Sequence, residues 1–259
     1  MTALGFPNGH TPWASTLHWI FRHLDCAQFE TQLGQWTETV VRAYPPTAEQ
    51  AEGSAIDGKT LRGSQKQGAP GSHLLSALSQ RLGVTLAQHA VAAKSNALFR
   101  IEDVLEALVR TGRIVTTDAL HTQRDVAQTI LDGAGDYVML VKGHQPARLA
   151  DMQLVFQERH VVAATLSATA TVETGHGRLE VRRLTASSAL VDYLAWPGLQ
   201  QVCEIAPTVT RTRTGQQRHE TVYGITSLPP QRADAARLLS LVRQHWAIEN
   251  KSHWARSFM

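Results

Sequence analysis

The chain has 259 residues, 43% of them hydrophobic and 18% charged, and this composition excludes an intrinsically disordered protein. The net charge of +3 and the pI near 9.1 permit a nucleic acid as partner without proving it. Cys26 and Cys203 are too few for a disulfide framework, the N-terminus lacks signal-peptide features, and no apolar run reaches membrane-spanning length. We therefore expect a soluble, cytoplasmic protein.

Residues 13–43 predict two amphipathic helices, because apolar side chains recur there at helical spacing. The two apolar faces are Leu17, Ile20, Phe21 and Leu24, and then Phe29, Leu33, Trp36 and Val40. Two helices alone cannot bury both faces, so we expect them to pack against another part of the protein.

From Ala55 the hydrophobic period changes to that of strands separated by glycine-containing turns. In chain order the predicted elements are strands 55–61, 73–79 and 84–92, helix 99–109, strand 113–117, helix 122–131 and strand 136–142. The last two strands are almost wholly apolar, as buried parallel strands are. An antiparallel meander followed by strand, helix and strand is typical of a ribonuclease-H-like α/β core with a mixed sheet and flanking helices.

The remainder of the chain predicts a β-rich insertion and a final helix. A helix at 148–157 is followed by strands at 169–173, 180–186, 201–213 and 219–226, and the final helix starts near Ala233. The predicted domains are a helical N-terminal segment at 1–50, the first part of the core at 51–160, the insertion at 161–230 and the last helix of the core at 231–259.

The segment SAIDGKTLRGS at 54–64 carries the first candidate functional residue, Asp57. A strand that presents a carboxylate beside Lys59 and Arg62 is suited to bind a metal ion and phosphate. Two alternatives remain open. Gly53–Thr60 matches the nucleotide-binding P-loop pattern, although polar residues precede it and glycines and Pro70 follow it. Asp57-Gly58 is also typical of a hairpin turn.

Asp118 follows the predicted strand 113–117, and ligands of α/β sheets gather at the carboxyl ends of strands. The alternative role of Asp118 is to cap the next helix. Thr122 and Asp125 match a capping box for that helix, so we expect Asp118 to be available for function.

Glu249 is the third candidate. Helical spacing places it on one face with Leu238, Val242 and His245, which predicts that its carboxylate points inward. A buried carboxylate is costly unless it is paired or binds a metal, so a ligand and a buried ion pair both remain possible.

Three converging carboxylates can hold two Mg²⁺ or Mn²⁺ ions and act on a phosphodiester. Lys59, Arg62 and Lys142 would neutralise phosphate charge at the same edge. Arg211, Arg213 and Arg218 crowd one later hairpin, where they either contact a phosphate backbone or form a solvated edge.

The chain resembles the insertion-sequence DDE transposases of the H-repeat-associated (ISAs-type) family. The resemblance is carried by AIDGKTLRGS, KSN at 94–96, the stretch 114–146, ETGHGRLEVRR at 173–183 and HWAIENKSHW at 245–254. It implies that Asp57, Asp118 and Glu249 are catalytic and bind the metal ions. It also implies transposition of double-stranded DNA, with terminal repeats and target DNA as partners, an active homodimer and association with the nucleoid.

The chain departs from the family pattern at several positions. Ala93 and Ala97 flank KSN, His144 stands where asparagine is usual, and both ends look shortened. We therefore expect a chain that is weak or inactive in transposition. The alternative function is a non-catalytic fragment that binds DNA or another subunit.

Overall fold

The computed structural model describes residues 12–44, 53–60, 73–91, 101, 104–105 and 113–248. The chain divides into two compact units, Met1–Pro45 and Pro46–Met259, and each is described by itself. None of the helices in these ranges is long and apolar enough to span a membrane.

The first unit contains the two predicted helices, α1 (Ala14–His23) and α2 (Cys26–Ala43). Asp25 caps α2, because its side chain accepts a hydrogen bond of 3.1 Å from the backbone nitrogen of Gln28. Most large apolar side chains of both helices are exposed: Leu17, Trp19, Ile20, Phe21, Phe29, Leu33 and Trp36. Trp13, directly before α1, is exposed as well.

The second unit is built on one ten-stranded sheet of the order β3-β2-β1-β4-β5-β10-β8-β7-β6, with β9 paired to β8. The strands are β1 (Gly53–Thr60), β2 (His73–Ser79), β3 (Thr85–Val91), β4 (Ile114–Thr117), β5 (Asp136–Val141), β6 (Leu166–Gly175), β7 (Arg178–Ser187), β8 (Gln201–Arg211), β9 (Gln217–His219) and β10 (Val222–Thr226).

The first five strands confirm the predicted ribonuclease-H-like arrangement. The strands β1, β2 and β3 form an antiparallel meander, and β1, β4 and β5 are parallel neighbours. Every residue of β4 and β5 is buried, as the apolar and β-branched runs IVTT and DYVMLV predict for central parallel strands. Because β1, β4 and β5 are parallel, their carboxyl ends share one edge of the sheet, called here the carboxyl edge.

Helices cover both faces of this part of the sheet. They are α3 (Arg124–Asp132), α4 (Pro146–Gln157) and α5 (Ala235–Ile248); Ile101, Val104 and Leu105 are also helical and fully buried. Alternate strand residues point to opposite faces. Val115 and Met139 therefore pack in the cluster that contains α3 and α4, whereas Ile114 and Leu140 pack in the cluster that contains α5.

The strands of the predicted insertion extend the same sheet. A single strand was predicted at 219–226, but two strands form there because they have different neighbours. The short β9 pairs with the end of β8, whereas β10 lies between β8 and β5. Gly177 and Gly215 adopt positive φ angles of 71° and 69° at the two hairpin turns, a conformation that favours glycine.

Candidate active site

Asp57 and Asp118 lie next to each other at the carboxyl edge. In the parallel pair of β1 and β4, Ile56 is opposite Thr117, so the following residues of the two strands are Asp57 and Asp118. Asp118 continues β4 with an extended backbone (φ −73°, ψ 175°). Neighbouring strands are about 4.8 Å apart, so this register brings two carboxylates that are far apart in sequence to one place.

Both carboxylates lie on the face of the sheet that α5 covers. A Cβ atom on Gly53 would lie 3.2 Å from Cδ2 of Leu241 in α5, so residues 53, 55 and 57 of β1 face this helix. On β4, Oγ1 of Thr116 is 3.0 Å from Nδ1 of His245, so Thr116 and Asp118 face it as well.

His121 holds the carboxylate of Asp118. Its backbone nitrogen donates to Oδ1 of Asp118 at 3.3 Å, and its ring Nδ1 donates to the same oxygen at 2.8 Å. Burial raises the pKa of Asp118, but the hydrogen bonds and charge of His121, with a contribution from His245, outweigh it and lower the pKa below its ordinary value. The carboxylate is therefore ionised near neutral pH.

These contacts correct the prediction that Asp118 has no structural task. Asp118 caps the 3-10 turn Ala119–His121, and the N-cap of α3 is Gln123, whose side chain makes no capping bond. The hydroxyl of Thr122 donates instead to the carbonyl oxygens of Asp118 and Leu140. The predicted capping box of Thr122 and Asp125 is therefore wrong.

A buried polar group links α5 to the sheet beside Asp118. Nε2 of Gln80 donates to Oγ1 of Thr116 at 2.8 Å and to the carbonyl oxygen of Leu241 at 3.4 Å. Burial lowers the pKa of His245 to about 4, although the charge of Asp118 acts in the opposite direction. His245 is therefore neutral at pH 7 and is fixed against Thr116.

The remaining predicted site residues fall into three groups. Glu249 and Arg62, as well as the side chain of Lys59, lie outside the described residues. Lys142 is exposed directly after β5, at the carboxyl edge. The three arginines of the hairpin between β8 and β9 are exposed: Arg211, Arg213 and Arg218. Arg218 pairs with Glu220 at 3.4 Å.

The structure rejects both alternatives for the segment around Asp57. Gly53–Thr60 forms a strand that pairs with β2 as far as Thr60 opposite His73, and with β4 over its first half. A P-loop requires an irregular loop between a strand and a helix, and a hairpin turn requires the chain to reverse. The match to the P-loop pattern is therefore fortuitous.

Two carboxylates at adjacent register positions are suitable ligands for hard divalent cations such as Mg²⁺ and Mn²⁺. Within the described ranges, no group of three or more histidine, cysteine or carboxylate side chains is arranged to hold a metal ion. The site described here therefore consists of Asp57 and Asp118, with His121 and His245 around the second carboxylate.

Sequence reasoning missed His121, Thr116 and Gln80 as parts of this site. His121 had one usable signal, because it follows Asp118 by three residues, the span of a single turn. Gln80 and Thr116 had none, because their bond joins residues that are 36 positions apart in sequence.

Comparison with known proteins defines the class. The family model of the transposase DDE domain matches residues 48–259, and the chain belongs to this family. The family generally uses divalent metal ions. The chain also shows the predicted similarity to H-repeat-associated proteins.

Two relatives illustrate this similarity. The chain is 29% identical to "Putative transposase YncI" of Escherichia coli O157:H7 over 96% of its own length and 63% of the relative. It is 33% identical to "H repeat-associated putative transposase YhhI" of Escherichia coli K12 over 77% of its own length and 54% of the relative. The chain thus spans between about half and two thirds of the length of these relatives.

Among solved structures, a piggyBac transposase synaptic complex with hairpin DNA is similar over 83% of this chain and 41% of that one. The TM-score is 0.41 and the identity 11%, too remote to support an argument.

Proposed function

We propose that the protein acts in DNA transposition by metal-dependent phosphodiester hydrolysis and strand transfer at the ends of an insertion sequence. The observation that carries this proposal is the register that places Asp57 beside Asp118 on the α5 face of the carboxyl edge. Membership of the transposase DDE family supports it. The catalytic residues in this proposal are Asp57, Asp118 and Glu249.

The geometry of α5 supports the role of Glu249. Leu241 lies beside Gly53, and His245, one turn later, lies beside Thr116, which is opposite Ala55. Each helical turn of four residues advances about 6 Å, close to the about 6.6 Å that two strand residues span. A further regular turn would bring residue 249 level with Asp57 and Asp118.

The three carboxylates would hold two Mg²⁺ or Mn²⁺ ions. When bound, such ions activate the attacking oxygen and stabilise the leaving oxygen of a phosphodiester. Asp118 is prepared for this role, because His121 occupies Oδ1 and keeps the carboxylate ionised. Its other oxygen, Oδ2, makes no hydrogen bond within the described part of the chain and is available to a metal ion.

The proposed DNA contacts lie at two places. Lys59, Arg62 and Lys142 would neutralise phosphate charge near the carboxyl edge, and the exposed arginines at positions 211, 213 and 218 would contact the backbone of double-stranded DNA at the β8–β9 hairpin. The terminal repeats and target DNA as partners, an active homodimer, association with the nucleoid and the division into four predicted domains belong to the same proposal.

Calorimetric titration with Mn²⁺ tests the shared metal site. Asp57→Asn and Asp118→Asn should each lower the affinity by at least about tenfold, because an amide replaces an anionic ligand. Asp192→Asn is the matched control, since Asp192 is exposed outside the site. Equal Mn²⁺ affinity in all four proteins would overturn the proposal.

A strand-transfer assay on DNA with matched terminal repeats tests the activity itself. Cleavage and joining, which we expect to be weak in this chain, should require Mg²⁺ or Mn²⁺ and should disappear in Asp57→Asn and Asp118→Asn. Tight DNA binding without any strand transfer, at saturating metal, would favour the non-catalytic DNA-binding fragment instead.

The hairpin contacts are tested by measuring DNA affinity against salt. Each phosphate contact contributes about 0.9 to the slope of log affinity against log salt concentration. A triple alanine variant of Arg211, Arg213 and Arg218 should reduce this slope. An unchanged slope would identify the hairpin as a solvated edge.

A further inference from the structure

Two arginines of the α3–α4 face converge on one dipeptide, Ala195-Trp196. Arg124 is the first residue of α3, and its Nη1 donates a hydrogen bond to the carbonyl oxygen of Ala195. Arg148 lies in the first turn of α4, and its guanidinium carbon is 4.1 Å from the centroid of the Trp196 ring. The two cationic side chains are therefore held close together by adjacent residues.

Gln145 connects this arginine pair to the carboxyl edge. Its Oε1 accepts from Nη1 of Arg148 at 2.6 Å, and its Nε2 donates to the carbonyl oxygen of Thr122. The hydroxyl of Thr122 in turn donates to the carbonyl oxygen of Asp118. The pair thus lies on the opposite face of the sheet from the proposed active site but near the same edge.

Within the described part of the chain, the charges of the pair have no acidic partner. Several other described arginines form ion pairs: Arg159 with Glu204, Arg182 with Glu173 and Glu180, Arg232 with Asp136, and Arg243 with Glu173. Among the described residues, no carboxylate lies within ion-pair distance of Arg124 or Arg148. Burial, and then the charge of Arg124, lower the pKa of Arg148.

The surroundings add further positive potential. Both arginines stand at helix N-termini, where backbone N–H groups carry partial positive charge, and neither helix has a side-chain cap. Lys142 is exposed in the loop that leads into α4. A bound anion would relieve the repulsion between the two cations, and arginine forks match the oxygens of phosphate.

We propose that Arg124 and Arg148 form a second binding site for the phosphate backbone of DNA. The pair is open to solvent on the side of Arg124, which suits an extended polyanion that passes over the edge. Phosphates bound by the arginine pair on the α3–α4 face would flank the reacting phosphodiester at the proposed active site on the α5 face. The site reads no bases, so its contribution is independent of DNA sequence. This inference rests on the proposed function.

Fluorescence anisotropy of a labelled DNA duplex, measured over a series of salt concentrations, tests the site. The variants are Arg124→Gln, Arg148→Gln and the double variant, with Arg159→Gln as control. The control removes the same charge from an arginine that Glu204 already neutralises. The double variant should lower the slope of log affinity against log salt by about 0.9 for each phosphate lost. The control should keep the wild-type slope.

The outcomes separate this inference from the proposed function. Salt-dependent binding by wild type with the same slope in the double variant overturns the arginine site alone. Absence of DNA binding by wild type overturns the proposed function and this site together. Displacement of DNA by millimolar inorganic phosphate from wild type, together with an unchanged slope in the double variant, identifies a site for a free anion and overturns the proposal.

The melting temperature of each variant is measured to check that the variant folds. Arg148→Gln loses the stacking on Trp196, so Arg148→Lys is included as a variant that keeps the charge without the planar fork. If the double variant does not fold, the single variant Arg124→Gln tests the site. This variant is expected to fold, because Arg124 is exposed and its side chain bonds to a backbone carbonyl. A wild-type slope in folded Arg124→Gln then overturns the site.

Discussion

The two faces of the central sheet are built differently. The α3–α4 face holds many of the largest fully buried side chains, such as Ile56, Tyr137 and Met139. Its buried polar side chains on β1, β2 and β4 are small hydroxyls: Ser54, Ser79 and Thr117. The α5 face combines an apolar part with buried polar side chains at its carboxyl end: Gln80, Thr116 and His245, with His121 nearby.

This difference between the faces bears on function. Burial of a polar group costs free energy unless it is hydrogen-bonded, so an apolar face is the more economical way to stabilise a sheet. On the α5 face, larger buried polar groups are hydrogen-bonded where α5 meets the strand that ends in Asp118. Both faces therefore stabilise the fold, and the α5 face also positions the carboxylates.

The largest expected effect comes from truncating one fully buried side chain on each face. Ile130→Ala beneath α3 and Leu238→Ala on α5 should each lower the free energy of unfolding by about 3 kcal/mol, measured by urea denaturation. Only Leu238→Ala should also weaken Mn²⁺ binding, because α5 precedes Glu249. Equal Mn²⁺ affinity in the two variants would contradict the division between the faces.

The second prediction concerns pH and His245. Its pKa is about 4 in the folded protein because of burial, and Asp118, His121 and Thr116 modify it. In the unfolded chain the pKa is about 6.5, so between these values the unfolded state binds more protons. Stability should therefore decrease as the pH falls from about 7 to about 4, by up to about 3 kcal/mol.

His245→Gln removes this titration and supplies the comparison. Urea denaturation in EDTA at several pH values should give a flatter pH dependence for the variant than for wild type. Parallel curves for the two proteins would show that protonation of His245 does not lower the stability of the protein.

The third prediction addresses the orientation of Asp118. His121→Phe keeps a ring but removes the Nδ1 donor, and it should lower Mn²⁺ affinity by about 10- to 100-fold, as the loss of a ligand's hydrogen-bond partner does. His121→Asn keeps an N–H donor and should retain more of the affinity. His219→Phe, on the exposed β9, is the control. Wild-type affinity in His121→Phe would remove His121 from the site.

The smallest expected effect lies in the segment that contacts the arginine pair through Ala195 and Trp196. Gly198 has a positive φ of 61°, and a Cβ atom there would lie 2.7 Å from Cδ1 of Leu131, a flexible end that can shift. Gly198→Ala should therefore cost about 1 kcal/mol, mainly from the backbone. Gly175→Ala, with no atom within 4 Å, should be nearly neutral. Equal melting temperatures of Gly198→Ala and Gly175→Ala would show that the positive φ of residue 198 does not require glycine.

The sequence by itself determined the core of this fold. Continuous apolar, β-branched runs predicted β4 and β5, and helical spacing predicted the buried face of α5 from Leu238 to His245. These signals are reliable because hydrophobic periodicity reports directly which side of an element is buried. The same patterns identified Asp57 and Asp118 as candidate residues on two predicted strands, and the pairing of β1 with β4 made them neighbours.

Only the tertiary structure decided the local roles. The hydroxyl of Thr122 fitted a capping box, but it bonds to the carbonyl of Leu140, which is 18 residues away. The segment Gly53–Thr60 fitted a P-loop until its pairing with β2 and β4 showed a strand. The convergence of Arg124 and Arg148 depends on Ala195 and Trp196. A local pattern cannot encode such contacts, because the competing partner comes from elsewhere in the chain and is brought close only by folding.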